Sequence, residues 1–428
     1  MTQSEPPAGT AALVEHLFRH RAGQIVATIT RALGPEHLDL AEDVVQEVLV
    51  RALRRWPLHG VPERPAAWLF RAAHNLALDR LRHRSVTTRS EPEVLHHLEA
   101  LATAAERPDD APLSGELRDH QLRLVFACCH PAIAPRARVA LTLKTFGGFS
   151  TEEIARSFLL KEPTVAQLIV RAKRRLREGD VTLEVPAGDD LVERLDSVLT
   201  VIYLVFNEGH VATRGDALVR LELVHESLRW LDLLLSEERL RHPRVHALAA
   251  LLSLLASRLP ARTDDDGRLV RLSEQDRSLW DRGLLTAGLQ QLELAMEAHE
   301  LSALHVQAGI AALHARARTA EETDWAAILR QYDLLETLEP TPVVRLNRAV
   351  AVWHAEGPGP ALAILDGLLD EPSLQRHHWL ASTRAAVLAS LSRTEEAEVA
   401  YREALERVEN GCERLFLEQR LGDLEKDA

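Results

Sequence analysis

FSTEEIARSFLLKEPTVAQLIVRAKRRLRE, residues 149–178, is the stretch on which the reading of this chain turns. It divides into two short helical patterns around a tight turn. Ser150 and Glu153 stand at capping-box spacing, so the two side chains can satisfy free N–H groups reciprocally and start a helix. Ile154, Ala155 and Phe158 then mark its apolar side. Pro163 suits the first turn of a second helix, where its missing N–H costs nothing. Val165, Ile169, Ala172 and Leu176 recur at helical spacing as one buried stripe. The opposite face carries Thr164, Gln167, Arg171 and Arg174, residue types that reach base edges and phosphates in a major groove. The pattern predicts a helix-turn-helix; the plain alternative is a surface helix pair with a solvated basic end.

Around this stretch the composition is that of a helical globular protein. The 428 residues exceed one ordinary core, so two or three domains are expected. Aromatic residues are only 4%, and Ala, Leu, Glu and Arg dominate, which favours an all-α fold. No apolar run of membrane-spanning length and no secretory leader pattern is visible, and three cysteines make no disulfide framework. A cytoplasmic protein is expected. The net charge of −13 conceals a division: +3 over residues 1–90, −6 over 91–120, +7 over 121–179 and −17 over 180–428. Basic front segments with an acidic remainder point to nucleic-acid binding by the front alone.

The front reads as helices over residues 10–33, 39–53 and 66–84, with a Pro- and Gly-rich loop over 56–65. In the second helix Asp43, Gln46 and Glu47 stand apart from the apolar Leu40, Val44, Val48 and Leu49. The third carries Arg71, Asn75, Arg80 and Arg82 on its polar face, and Trp68, Phe70 and Leu76 at positions that can pack inward. Residues 85–115 are acidic and punctuated by prolines, as in a linker, with a short helix expected over 93–105. Cys128-Cys129-His130 lacks the partners for a tetrahedral metal site, so the cysteines read as small buried hydrophobes rather than a redox switch. Residues 179–190 read as a second linker. Glu208, His210 and His225 match no ligand spacing, and Asn207 and Gly209 read as caps ending a helix over 191–206. Near the end, Ala349, Val352, Ala361 and Leu365 recur 36 positions later as Ala385, Leu388, Ala397 and Tyr401. Small residues at that spacing let paired helices approach closely, as in tetratricopeptide (TPR)-like repeats.

Taken in order, LAEDVVQEVLVRAL (40–53), PAAWLFRAAHNLALDRLRHR (65–84) and the opening stretch resemble regions 2.2, 2.3–2.4 and 4.2 of the extracytoplasmic-function (ECF) sigma factors of the sigma-70 family. The resemblance implies that Asp43, Gln46 and Glu47 dock on core RNA polymerase. It assigns Trp68, Arg71, Asn75 and Arg80, with the 57–65 loop, to the −10 promoter element. Thr164, Gln167, Arg171 and Arg174 fall to the −35 element, with phosphate contacts from the RAKRRLR run. Lys161-Glu162-Pro163, Ala166 and Leu168 depart from the commoner family pattern, which leaves the promoter sequence unspecified. IYLVFNEGH (202–210), DWAAILRQYDLL (324–335) and PVVRLNRAVAV (342–352) resemble the extension of one ECF subgroup with a TPR-like C-terminal domain.

The expectation is therefore an all-α, non-enzymatic sigma factor without cofactor or metal. Region 2 spans 10–86, a linker 87–115, region 4 spans 116–178, and an acidic TPR-like extension 190–428. Its partners are core RNA polymerase, promoter DNA and a protein bound by the repeats, with no membrane. The rival readings are a polymerase-independent regulator with a TPR-like sensor, and a TPR scaffold that binds no DNA.

Overall fold

The computed structural model describes residues 8–83, 115–158, 160–178, 181–212, 217–264, 268–298, 300–375 and 377–427. The linker expected over 87–115, and the helix within it, lie outside these but for residue 115, the first of a helix. Among the described residues there is no β-strand, only an isolated bridge between Thr263 and Leu269. The chain forms two compact units, Met1–Leu204 and Val205–Ala428.

In the first unit, α1 (Ala8–Leu33), α2 (Leu38–His59) and α3 (Pro65–His83) pack together. Their seam is Ile25, Val26, Ile29, Val44, Val48, Trp56, Leu69 and Ala73, all buried. Full burial of each larger aliphatic side chain is worth ~1.5–3 kcal/mol. The expected loop over 56–65 is shorter than its prolines imply. Pro57 sits in the last turn of α2, which ends where Gly60 takes a φ of 82°, and Pro65 opens α3. A proline near a helix end removes one N–H but does not have to break the helix before it.

Four further helices follow: α4 (Gly115–Cys128), α5 (Pro135–Thr145), α6 (Thr151–Phe158) and α7 (Glu162–Glu178). Helix α1 packs on α4, and α7 lies on α5 and α6. Gly23 of α1 sits directly on the turn after α5: a Cβ there would lie 2.2 Å from the Phe146 carbonyl oxygen. That neighbour is backbone and cannot swing aside. Gly23→Ala is expected to destabilise this unit by roughly 1–3 kcal/mol in urea unfolding.

Residues 181–188, expected as a linker, are instead packed down. Val181, Leu183 and Val185 are buried, and Arg123 donates to the Leu183 carbonyl at 3.2 Å. Helix α8 (Asp189–His210) does not stop at Phe206 but runs on through Asn207 and Gly209. Its Arg194 donates to the Phe126 carbonyl (2.9 Å), and Ser197 donates to that of Cys129 (2.6 Å). The start of the acidic extension thus belongs to the first unit.

In the second unit, α9 (Leu221–Leu235) and α10 (Pro243–Ala256) lead into α11 (Arg282–Glu297), α12 (Ala303–Arg316) and α13 (Trp325–Leu338). Gly209 is needed for close approach, since a Cβ would meet the Val224 nitrogen at 2.8 Å. Then come α14 (Pro342–Glu356), α15 (Pro358–Asp366), α16 (Trp379–Ser390), α17 (Thr394–Arg407) and α18 (Gly411–Asp427). From α12 onward each helix packs on its successor. Ala349, Ala361, Ala385 and Ala397 are fully buried at the seams, with Leu365 and Tyr401 filling the space beside them. The repeated positions therefore occupy equivalent places in two successive helix pairs.

Candidate nucleic-acid interface

Helix α6 starts where its sequence dictates. The Glu153 N–H donates to Ser150 Oγ at 3.0 Å, and the Ser150 N–H donates to Glu153 Oε2 at 2.7 Å. After the turn, the Lys161 carbonyl accepts from the Thr164 and Val165 N–H groups and begins α7. Val165, Ile169, Ala172 and Leu176 are buried against α5 and α6. That fixes the rotation of α7, and Thr164, Gln167, Arg171 and Arg174 face outward, all exposed. Arg174 pairs with Glu178 one turn on (2.7 Å), while Arg171 has no ion pair among the described residues.

The basic run is not uniform. Arg171, Arg174, Arg175 and Arg177 are exposed, but Lys173 turns inward. Its Nζ lies 2.6 Å from Asp39 Oδ1 and 2.9 Å from Glu42 Oε2, both in the first turns of α2. Burial opposes the ammonium, but the Glu42 and Asp39 carboxylates outweigh it and hold its pKa above the ordinary value. Glu42 also accepts from Thr145 Oγ1 at 2.6 Å, and Arg177 approaches Asp39 at 3.6 Å. Lys173 is thus removed from the expected phosphate contacts and ties α7 to α2.

On α2, Asp43 and Gln46 are exposed and Glu47 is half-buried. Glu47 takes Arg51 at 2.5 Å and Arg80 at 2.5 Å, and these two hydrogen bonds hold its carboxyl below the usual range. Arg80 also approaches Asp43 at 3.7 Å. Arg80 therefore sits with the carboxylates, about 140° around α3 from Asn75. Trp68, Arg71 and Asn75 do come together. With Ala72 they form one wall of a cavity of about 420 Å³, and Arg51, Arg54 and Arg55 of α2 form the other. Trp68 is half-buried and meets the buried Trp56 edge-on, with ring centroids 5.5 Å apart.

The three α2 arginines were absent from the residues expected on sequence. Their signal was present: positions 51, 54 and 55 share one helix face. What the sequence withheld was that this face lies across from Trp68. Arg54, Arg55 and Arg71, one indole and one amide can neutralise a backbone, stack a base and bond a base edge, the equipment of a single-strand groove, with Arg51 shared between this cavity and Glu47.

Other candidates dissolve. Cys128 and Cys129 are buried; burial pushes the Cys129 thiol up to about 11 and Cys128 well above its usual range, so neither is a reactive thiolate. Glu208 and His210 are buried while His225 is exposed, so the three form no group. Among the described residues no cluster of His, Cys, Asp or Glu is arranged to hold a metal, and no helix is long and apolar enough to cross a membrane.

A helix-turn-helix with an outward basic face, and a cationic groove beside the α2 carboxylates, are the features of a helical DNA-binding protein of two modules. Residues 17–87 match sigma-70 region 2, residues 123–176 match sigma-70 region 4, and residues 194–296 match a family of unknown function (DUF6596). An uncharacterized protein of Rhizobium meliloti is 40% identical over 390 residues, covering 91% of this chain and 90% of the relative. The ECF RNA polymerase sigma factor SigL of Mycobacterium tuberculosis is 30% identical over 171 residues, 40% of this chain and 90% of that protein. The RNA polymerase sigma-E factor of Streptomyces avermitilis is 30% identical over 148 residues, 35% of this chain and 74% of that protein. No solved structure matches the chain. The chain belongs to the ECF sigma factors of the sigma-70 family.

Proposed function

We propose that this chain binds core RNA polymerase in the cytoplasm, positions it on a two-part promoter and helps open the −10 segment, performing no chemistry itself. The observation that carries this is the pair of exposed arginine faces in one unit: the outward side of α7, and the groove between α2 and α3. Thr164, Gln167, Arg171 and Arg174 read the −35 duplex. Trp68, Arg71 and Asn75, joined by Arg51, Arg54 and Arg55, take the melted −10 strand. Arg80 acts one step back, setting the carboxylates of Asp43 and Glu47 that, with Gln46, meet the polymerase.

Acidic side chains on such a surface set register and encounter rate against a basic partner. Asp43→Arg with Gln46→Arg changes two exposed side chains and is expected to abolish co-elution with core polymerase in gel filtration while leaving the circular dichroism spectrum unchanged. Co-elution unaffected by both would remove the polymerase contact from α2.

Arg171→Ala is expected to weaken −35 duplex binding by roughly 1–3 kcal/mol and to reduce the salt slope by about 1. Fluorescence anisotropy at several salt concentrations reads both.

The second unit fits a TPR-like domain of the subgroup whose extension follows region 4, and its helix pairs suit a protein partner. We assign it a regulatory role. Deleting residues 205–428 and measuring promoter-directed transcription tests this, and unchanged output under all conditions would remove the role. The cut belongs there rather than at 190, because Arg194 and Ser197 complete the first unit.

A further inference from the structure

The second unit gathers buried arginines around one indole, and one of them, Arg258, has no carboxylate acting on it. Arg258 and Arg277 both lie over Trp280, with guanidinium carbons 5.7 and 5.0 Å from the ring centroid. Arg277 spends Nη1 on the carbonyls of His314 (2.8 Å) and Ala317 (2.6 Å), and Nη2 on Thr323 Oγ1 (3.2 Å). Its Nε has no partner, nor does the buried indole N–H of Trp280. Burial and then the neighbouring Arg262 and Arg277 bring Arg258 down to about 9, with no carboxylate among the causes to offset them. Burial, then Arg258 and Arg277, push His314 down to about 4. Each guanidinium gains a cation–π contact with the indole, but like charges gathered in a desolvated site repel one another.

Arg277 and Trp280 also line a cavity of about 660 Å³, within the size range of small-molecule sites. Arg282, Arg316 and Arg318 reach it from α11 and from the end of α12 and the loop beyond, and none of the three has an ion pair among the described residues. Gln275 also lines the cavity, its amide donating to the Val270 carbonyl at 3.2 Å. Two carboxylates share the lining. That of Asp276 is occupied by the Ser278 N–H at 2.8 Å, and Glu321 is the other, so four arginines still face two acids.

We propose that this cavity binds a small organic anion, carrying a carboxylate or phosphate group for Arg282, Arg316 and Arg318. Nothing in this inference depends on the promoter reading of the first unit; it gives the extension a small-molecule input.

Calorimetric titration and thermal unfolding of the full chain, at ionic strength held constant with sodium chloride, test it. Citrate is the carboxylate probe and glucose 6-phosphate the phosphate probe. Saturable binding of either, with a raised unfolding midpoint as mass action requires, is expected; which one saturates identifies the group. Arg282→Ala/Arg316→Ala/Arg318→Ala, three exposed positions, should weaken it at least about tenfold. Absence of saturation by both probes up to about 10 mM, or a triple variant that binds as the parent does, would overturn the proposal.

Discussion

Lys173→Met is expected to destabilise the first unit by about 3–5 kcal/mol, the cost of removing one partner from a buried ion pair. The Glu42 side chain is 9% exposed and would keep Thr145 but lose the ammonium 2.9 Å away. Asp39 is half-exposed and tolerates the loss better. The double variant Lys173→Met/Glu42→Gln should recover most of the loss, because the amide still accepts from Thr145 without a charge to bury. Urea unfolding of the full chain, followed by the first unit's transition, reads all three proteins. A stability change under about 1 kcal/mol for Lys173→Met would mean that Glu42 is solvated and that the tie between α2 and α7 is not formed.

The second large effect is in the groove. Trp68→Ala combined with Arg54→Ala and Arg55→Ala is expected to cost roughly 1–3 kcal/mol for the lost stacking, with further loss from each phosphate contact. The effect should fall on strand opening and spare the duplex step, because α7 is untouched. Permanganate reactivity of unpaired thymines in the polymerase complex reports opening, and anisotropy on a −35 duplex reports the other step. Equal losses in both assays would mean that the two faces do not divide the promoter between them. Of the three substituted side chains only Trp68 touches the core, through its edge-on contact with Trp56, so folding is checked alongside by the unfolding midpoint.

Where a residue's role depends on neighbours within one helical turn, the chain was legible. Ser150 and Glu153 cap α6 as their spacing requires, and the stripe of Val165, Ile169, Ala172 and Leu176 sets the rotation of α7. The repeated alanines at 349, 361, 385 and 397 fell at helix seams for the same reason. Less was legible where a distant segment decides. Lys173 looks like its neighbours in RAKRRLR, yet it stands beside the buried Ala172 and finds carboxylates 131 and 134 positions away. Arg80, expected at the −10 element, pairs with Glu47, 33 positions away. Arg54 and Arg55 carry no local signal of a role, and only the fold brings Trp68 and Arg71 across from them. Gly209 and Pro57 carry cap and breaker chemistry, but packing kept the helix going at both sites. Charge in a helix is read locally; its partner is a property of the fold.

The central claim is that these two faces serve one polymerase-bound act of initiation, and run-off transcription from the promoter of the chain's own operon tests it most directly. With core RNA polymerase and the purified chain, a transcript of defined length is expected, lost with Asp43→Arg/Gln46→Arg and strongly reduced with Arg171→Ala. No transcript above that of core polymerase alone, or one insensitive to both sets of substitutions, would contradict it.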